Sequence, residues 1–247
     1  MSLSERAAFG YIRARIMDRH SQRLGKEQWQ QLEHSRGLDA FLQMARQSGL
    51  AGWIHHFESA DDSVVWERSL RADWQRYLAR LVAWTPSRWQ ASLAWTGILP
   101  YLPAMARVLG GDAPADWMRS EVFFLGMSVD ESEVFRSELA SGPWARLLQF
   151  WEGNSPLSAW WLAWQTLWPE KHDECIKSLE PALVILDQPG AEESEKLERF
   201  FIRVLRTQQP TVLPVTAHLG LLSLDLGRLR GNLLSRQLRV QQVRSTA

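Results

Sequence analysis

A chain of 247 residues is long enough for one large domain or two to three small ones, and it buries roughly three quarters of its unfolded surface without staples. Lys plus Arg and Asp plus Glu each number 28, and this zero formal charge argues against nucleic-acid binding as the main task. The lone Cys175 excludes disulfides within the chain and points to a reducing compartment.

Helix signals dominate from the first residues, and strand signals are nearly absent, so the expected class is all-α with little or no β structure. Ser4 is expected to cap a helix through about His20 that turns Phe9, Ile12 and Ile16 to one face. Short helices follow near Lys26 to Glu33, Leu38 to Gln47 and Leu50 to Phe57. Gly25, Gly37 and Gly49 are expected to end helices in the left-handed conformation. Asp61-Asp62-Ser63 starts a long helix whose Trp66, Leu70, Trp74, Tyr77, Leu81 and Trp84 form one packing stripe. Thr85-Pro86 reads as a cap-plus-proline restart, and Pro100 and Pro103 should kink or break the helix that follows.

Gly110-Gly111-Asp112-Ala113-Pro114 is the clearest linker. Beyond it the pattern predicts helices near Ala115 to Leu125, Glu131 to Leu139, Pro143 to Trp151 and Pro156 to Leu167. Another is expected from Pro169 to Leu186, interrupted near Pro181, then a turn at Asp187-Gln188-Pro189-Gly190. Glu192 to Arg206 reads as amphipathic with Leu197, Phe200, Phe201, Val204 and Leu205 inward. The last helix should run from about Val212 to Arg239, with Val215, Leu219, Leu222, Leu226, Leu229 and Leu233 at steps of three and four, leaving a frayed polar tail from Gln241. The corresponding division is 1–60, 61–110, 111–190 and 191–247.

Fourteen tryptophans are the compositional outlier. At helical spacing they read as core filler with indole N–H groups satisfied at the margins, ahead of a sugar-binding or base-stacking platform. The segment Ser2 to Met17 is amphipathic and charged, without an apolar core beside a cleavage site, so no N-terminal signal is expected. No window approaches the roughly 20 apolar residues that cross a bilayer.

Two ends of the chain carry the same device. Tyr11-Ile12-Arg13-Ala14-Arg15 and Leu222 to Arg230 each place arginines one residue apart in an apolar helical run. Arginine against apolar surface needs a carboxylate or carbonyls for its fork. These four arginines are therefore either ordinary surface residues or locks between helices, with Asp18 or Asp225 as a partner. The Tyr-x-x-Ala-Arg opening, the apolar pattern through Trp53, the long helix and restart from Leu70 to Gly110 with Arg107, and the 210–234 helix with Asp225 and Arg228 or Arg230 together resemble one family. It is the socket component of V-type and A-type rotary ATPases, of C type in prokaryotic complexes and of d type in eukaryotic ones. This chain departs from it in reading Gly97-Ile98-Leu99-Pro100-Tyr101-Leu102-Pro103 in the middle motif, in placing Gly227 near a family asparagine, and in being trimmed between Gly111 and Trp168.

The resemblance implies a funnel-like bundle of pseudo-repeated helical units on the cytoplasmic face of the membrane. Its partners would be the proteolipid ring and central-stalk subunits of the D and F type. The work it implies is mechanical coupling during ion transport, with no catalysis, cofactor, metal, nucleic acid or small-molecule substrate. Tyr11, Arg13, Arg15, Arg107, Asp225, Arg228 and Arg230 are its structural or interface candidates. Other constellations are weaker. His172-Asp173-Glu174-Cys175 has metal-like composition but lacks a second cluster, and His55-His56 beside Glu58, Asp61 and Asp62 reads as a helix end. No phosphate loop or nucleophile elbow is present. The alternative reading is a Trp-rich helical adaptor that binds another protein; a third is a helical enzyme whose site the sequence does not reveal.

Overall fold

The computed structural model describes residues 2–128, 132–169, 173–186, 190–207 and 211–246. The protein is all-α, with no strand among the described residues. Its helices are α1 (Leu3–Ser21), α2 (Lys26–His34), α3 (Gly37–Arg46), α4 (Ala51–Ile54), α5 (Ser63–Trp84), α6 (Ser87–Ala94), α7 (Leu102–Leu109), α8 (Ser132–Ser141), α9 (Ala145–Leu148), α10 (Pro156–Gln165), α11 (Asp173–Leu186), α12 (Ala191–Leu205) and α13 (Leu213–Thr246). They cluster into two compact units, one of residues 1–86 with 194–247 and one of residues 87–193. The two chain ends thus share a unit.

In the first unit, α13 packs on α1, α3 and α5. Helix α1 starts with a reciprocal cap: Ser2 Oγ accepts from the Glu5 amide at 3.2 Å, and the Ser2 amide donates to Glu5 Oε2 at 2.8 Å. The cap is Ser2 rather than Ser4, because only Ser2 stands three residues ahead of a glutamate that can return the bond. Phe9, Ile12 and Ile16 are buried as their spacing predicts. Asp62 caps α5 by accepting from the Val65 amide at 2.9 Å. The α5 stripe from Trp66 to Leu81 is buried, and Trp84 is half-buried. The Thr85 hydroxyl donates back to the Leu81 carbonyl at 2.7 Å, and α6 begins at Ser87.

The glycines act differently from expectation. Gly25 precedes α2 with extended backbone, and Gly37, at φ 81°, opens α3 instead of ending α2. Gly49 is needed for space. A Cβ there would stand 1.9 Å from the Gln22 carbonyl oxygen, so the turn after α3 meets the end of α1 backbone to backbone. The core around this contact joins Leu24, Trp29, Phe41, Phe57 and Trp66 to Leu229 and Leu233 of α13.

α13 continues to Thr246, past the expected fraying point, since no Gly or Pro follows Gly231 to break it. Val215, Leu219, Leu229 and Leu233 are buried and Leu222 and Leu226 half-buried. On α12, Leu197, Phe201, Val204 and Leu205 are buried, and Phe200 is half-buried.

The second unit packs α10 against α7, α9 and α11. Pro100 falls inside a 3-10 helix, Trp95–Tyr101, and Pro103 sits in the first turn of α7, so the prolines do break the run. The segment after the linker forms two 3-10 turns, Asp116–Ser120 and Val122–Phe124, instead of an α-helix. The helix expected from Pro143 is reduced to the four residues of α9. Ser155 caps α10, accepting from the Ser158 amide at 3.2 Å, with Pro156 at the first position. Helix α11 passes through Pro181 without interruption, at the cost of the one N–H that proline lacks. The expected turn at 187–189 lies outside the described residues.

Tryptophans fill this second core. Trp95 and Trp160 exchange indole-to-carbonyl hydrogen bonds of 3.4 and 3.3 Å, Trp164 donates to Ser92 O at 2.7 Å, and Trp144 donates to Phe123 O at 3.1 Å. Burial and pairing of this kind fit a packing role. The rule does not hold throughout: among the described residues the buried indole nitrogens of Trp66 and Trp74 meet no hydrogen-bond acceptor.

Candidate functional site

Three polar residues of α13 lie in its packing stripe. His218, Asp225 and Arg236 stand three or four residues from Leu222, Leu229 and Leu233 respectively, and all three are buried. Each polar group so buried requires a partner, and the partners are Arg23 beyond α1, backbone carbonyls of α2 and Tyr77 of α5.

Asp225 is taken by Arg23, just beyond α1. Arg23 Nε donates to Oδ2 at 2.6 Å and Nη2 to Oδ1 at 2.8 Å, while Nη2 also reaches Glu198 Oε1 of α12 at 3.0 Å. The side chains of the pair are 12% and 9% exposed, so the bidentate fork works in a low-dielectric setting. Burial opposes the Arg23 charge, but hydrogen bonding and attraction to Asp225 and then Glu198 outweigh it and raise its pKa. Burial also raises the Asp225 carboxyl, against the pull of Arg23. The two shifts bear oppositely on the charged pair. The fork engages both carboxylate oxygens.

Arg228 makes a second fork, to Glu33 of α2 at 2.6 and 2.8 Å, with its guanidinium 4.7 Å from the Trp29 ring centroid. The Arg228 hydrogen bond, working against partial burial, holds the Glu33 carboxyl below its ordinary range. Arg230 pairs with Glu67 of α5. Arg236 uses one nitrogen on the Leu32 and Glu33 carbonyls, at 3.1 and 3.0 Å, at the end of α2, and its guanidinium lies 4.4 Å from the Phe41 ring centroid. Three arginines of one helix thus hold α2 and α5.

Near the start of α13, Tyr77 of α5 and His218 hydrogen-bond through Oη and Nε2, and among the described residues His218 Nδ1 meets no partner. Burial first, then the charges of His20, Arg19 and Arg23, pushes His218 down to about 3. Burial raises Tyr77, and Arg19 and Arg80 oppose it. His20 is lowered as well, by burial and then by Arg23 and Arg206. This neighbourhood therefore favours neutral imidazoles at pH 7.

Of the sequence-predicted residues, Asp225, Arg228 and Arg230 come together in these locks. Tyr11, Arg13 and Arg15 do not join them. Tyr11 is 48% exposed, and Arg15 Nε donates to its hydroxyl at 3.1 Å while its guanidinium lies near the Tyr11 and Trp84 rings, at 5.3 and 5.9 Å. The expected Arg15 lock to Asp18 or Asp225 is replaced by aromatic contacts, since Arg23 already fills both Asp225 oxygens. Arg13 has a buried Nε with no hydrogen-bond partner among the described residues. Arg107 belongs to the second unit, where it pairs with Asp112 at 2.8 Å across the end of α7.

Sequence reasoning passed over Arg23, Arg236 and His218. The last two had a signal, because they sit at apolar-stripe positions of the final helix; Arg23 had none. His56 Nε2 lies 3.9 Å from Asp73 Oδ2, and the His55 and His56 rings meet edge to face. His172 lies outside the described residues. Among the described residues no three His, Cys, Asp or Glu side chains group closely enough to hold a metal, and no helix is long and apolar enough to cross a membrane. Compared with family models, curated proteins and solved structures, the chain matches none.

Proposed function

We propose that this chain is a non-catalytic rotor-socket subunit of a V/A-type ATPase, coupling the central-stalk subunits to the membrane proteolipid ring from its cytoplasmic face. The observation that carries the reading is the set of charged locks between the two segments that hold the resemblance. The final helix is fastened to the N-terminal helices by Arg23–Asp225, Arg228–Glu33 and the Arg236 bonds to α2 carbonyls. A torque coupler must resist twist, and packed helices joined by desolvated bidentate pairs deform little.

The test is affinity purification of a tagged central-stalk subunit from the same cells. Recovery of this chain in a fixed ratio with stalk and proteolipid subunits supports the rotor. Its absence from that complex, together with a stable complex with some other protein, replaces the rotor with the Trp-rich adaptor reading.

A further inference from the structure

Within the first unit, α1, α4 and α5 enclose a cleft of about 450 Å3 lined by Arg19, Gly52, Trp53, Asp73, Arg76, Tyr77 and Arg80. Its size falls in the ordinary range of small-molecule sites, about 300–1,000 Å3. Arg76 is committed to Asp73, which cancels one charge of each sign. Arg19 and Arg80 lack a carboxylate: among the described residues neither makes an ion pair, and Arg19 hydrogen-bonds Tyr77 with only part of its fork. Their guanidinium groups lie 4.8 and 5.8 Å from the Tyr77 ring centroid. Two positive charges are thereby held at one aromatic ring and left without a counter-ion. Trp53, half-buried, packs on Tyr77 at 5.7 Å between ring centroids and lines the same cleft. A smaller cavity of about 80 Å3 shares Arg19, Trp53 and Tyr77 and reaches His218 and Arg23.

We propose that this cleft binds a small phosphate ester bearing a planar ring, with the phosphate between Arg19 and Arg80 and the ring against Trp53. A phosphate near neutral pH carries up to two negative charges and three acceptor oxygens, matching two guanidinium groups that have no carboxylate partner among the described residues. The volume leaves room for more than the bare ion, and an indole face offers stacking to a planar group. The site rests on the cleft alone and does not depend on the rotor reading.

Isothermal titration of the full chain at low ionic strength, with phenyl phosphate, inorganic phosphate and phenol as probes, tests it. Phenyl phosphate should bind saturably and more tightly than inorganic phosphate, and phenol should not bind. Arg19→Gln with Arg80→Gln should weaken phenyl phosphate about tenfold or more. Gly52→Glu keeps the test independent of any folding defect in the arginine variants. Its Cβ would meet nothing within 4 Å, so it should fold normally while its carboxylate abolishes binding. No saturable heat with phenyl phosphate, or undiminished affinity in both the arginine and glycine variants, overturns the site. Equal affinity for inorganic phosphate overturns the ring contact. Sedimentation with phosphatidic-acid vesicles without any binding of phenyl phosphate overturns the soluble ligand in favour of a lipid headgroup.

Discussion

His218 supplies a measurable consequence of burying a titratable group among positive charges. Its imidazole is 3% exposed and sits in the hydrophobic stripe of α13. Facing it are Tyr77 from α5 and His20, Arg19 and Arg23 from the N-terminal segment, with Asp225 two turns along its own helix. Its pKa falls from the ordinary value of 6.5 to about 3, through burial first and then His20, Arg19 and Arg23. A depressed histidine is neutral in the folded protein and protonates on unfolding. Stability from this residue is therefore complete above pH 6.5 and is lost as the pH falls toward 3. At pH 5 the unfolded imidazole is mostly charged while the folded one is still neutral, and the loss relative to pH 8 comes to about 2 kcal/mol. Urea unfolding of the wild type and of His218→Gln at pH 8 and pH 5 isolates this contribution, because the other titrating groups remain in both. The wild type should lose about 2 kcal/mol more than the variant over that interval. Equal losses in the two proteins would refute the assignment of a buried, neutral His218.

The remaining predictions concern the locks and the close backbone contact. Arg23→Met leaves Asp225 buried without its fork and should cost about 3–5 kcal/mol in urea melts, whereas the double change Arg23→Met with Asp225→Leu should cost much less. A double variant no more stable than the single one would mean the pair is not desolvated. Arg236→Met removes bonds to two carbonyls at the end of α2 and should destabilise by about 1.5–3 kcal/mol, while Arg15→Ala, whose guanidinium meets only the Tyr11 hydroxyl and the Tyr11 and Trp84 rings, should stay near 0.5 kcal/mol. Comparable melting shifts for the two would contradict this ranking. Glu33, held low by Arg228, should stabilise the fold above its unfolded pKa and lose that contribution as the pH falls through its folded value. Arg228→Gln should flatten acid unfolding there, and an unchanged acid limb would discount the fork. Gly49→Ala drives a methyl into the Gln22 carbonyl and should lower thermal stability sharply, by about 3 kcal/mol or more; wild-type melting would show that the two turns do not touch.

Periodicity alone made much of this molecule legible. Phe9, Ile12 and Ile16, the Trp66-to-Leu81 stripe and most of the Val215-to-Leu233 stripe are buried as their spacing requires, because a helix presents the same face every three to four residues whatever it packs on. The same local rule located the Ser155-Pro156 start and the break around Pro100. It misjudged the 116–124 segment and Pro181, where propensities are weak and the surrounding packing decides. The locks belong to a different kind of information. Asp225 and Arg228 were visible as misplaced polar residues, but their partners Arg23 and Glu33 lie 202 and 195 residues away, and no local pattern can name them. Arg13 and Arg15 share the sequence signature of Arg228 and Arg230 yet meet no carboxylate among the described residues. Whether an arginine becomes a lock depends on which acid the tertiary fold brings within a few ångströms of its fork. Spacing fixes the face of a helix; only the folded chain chooses what that face meets.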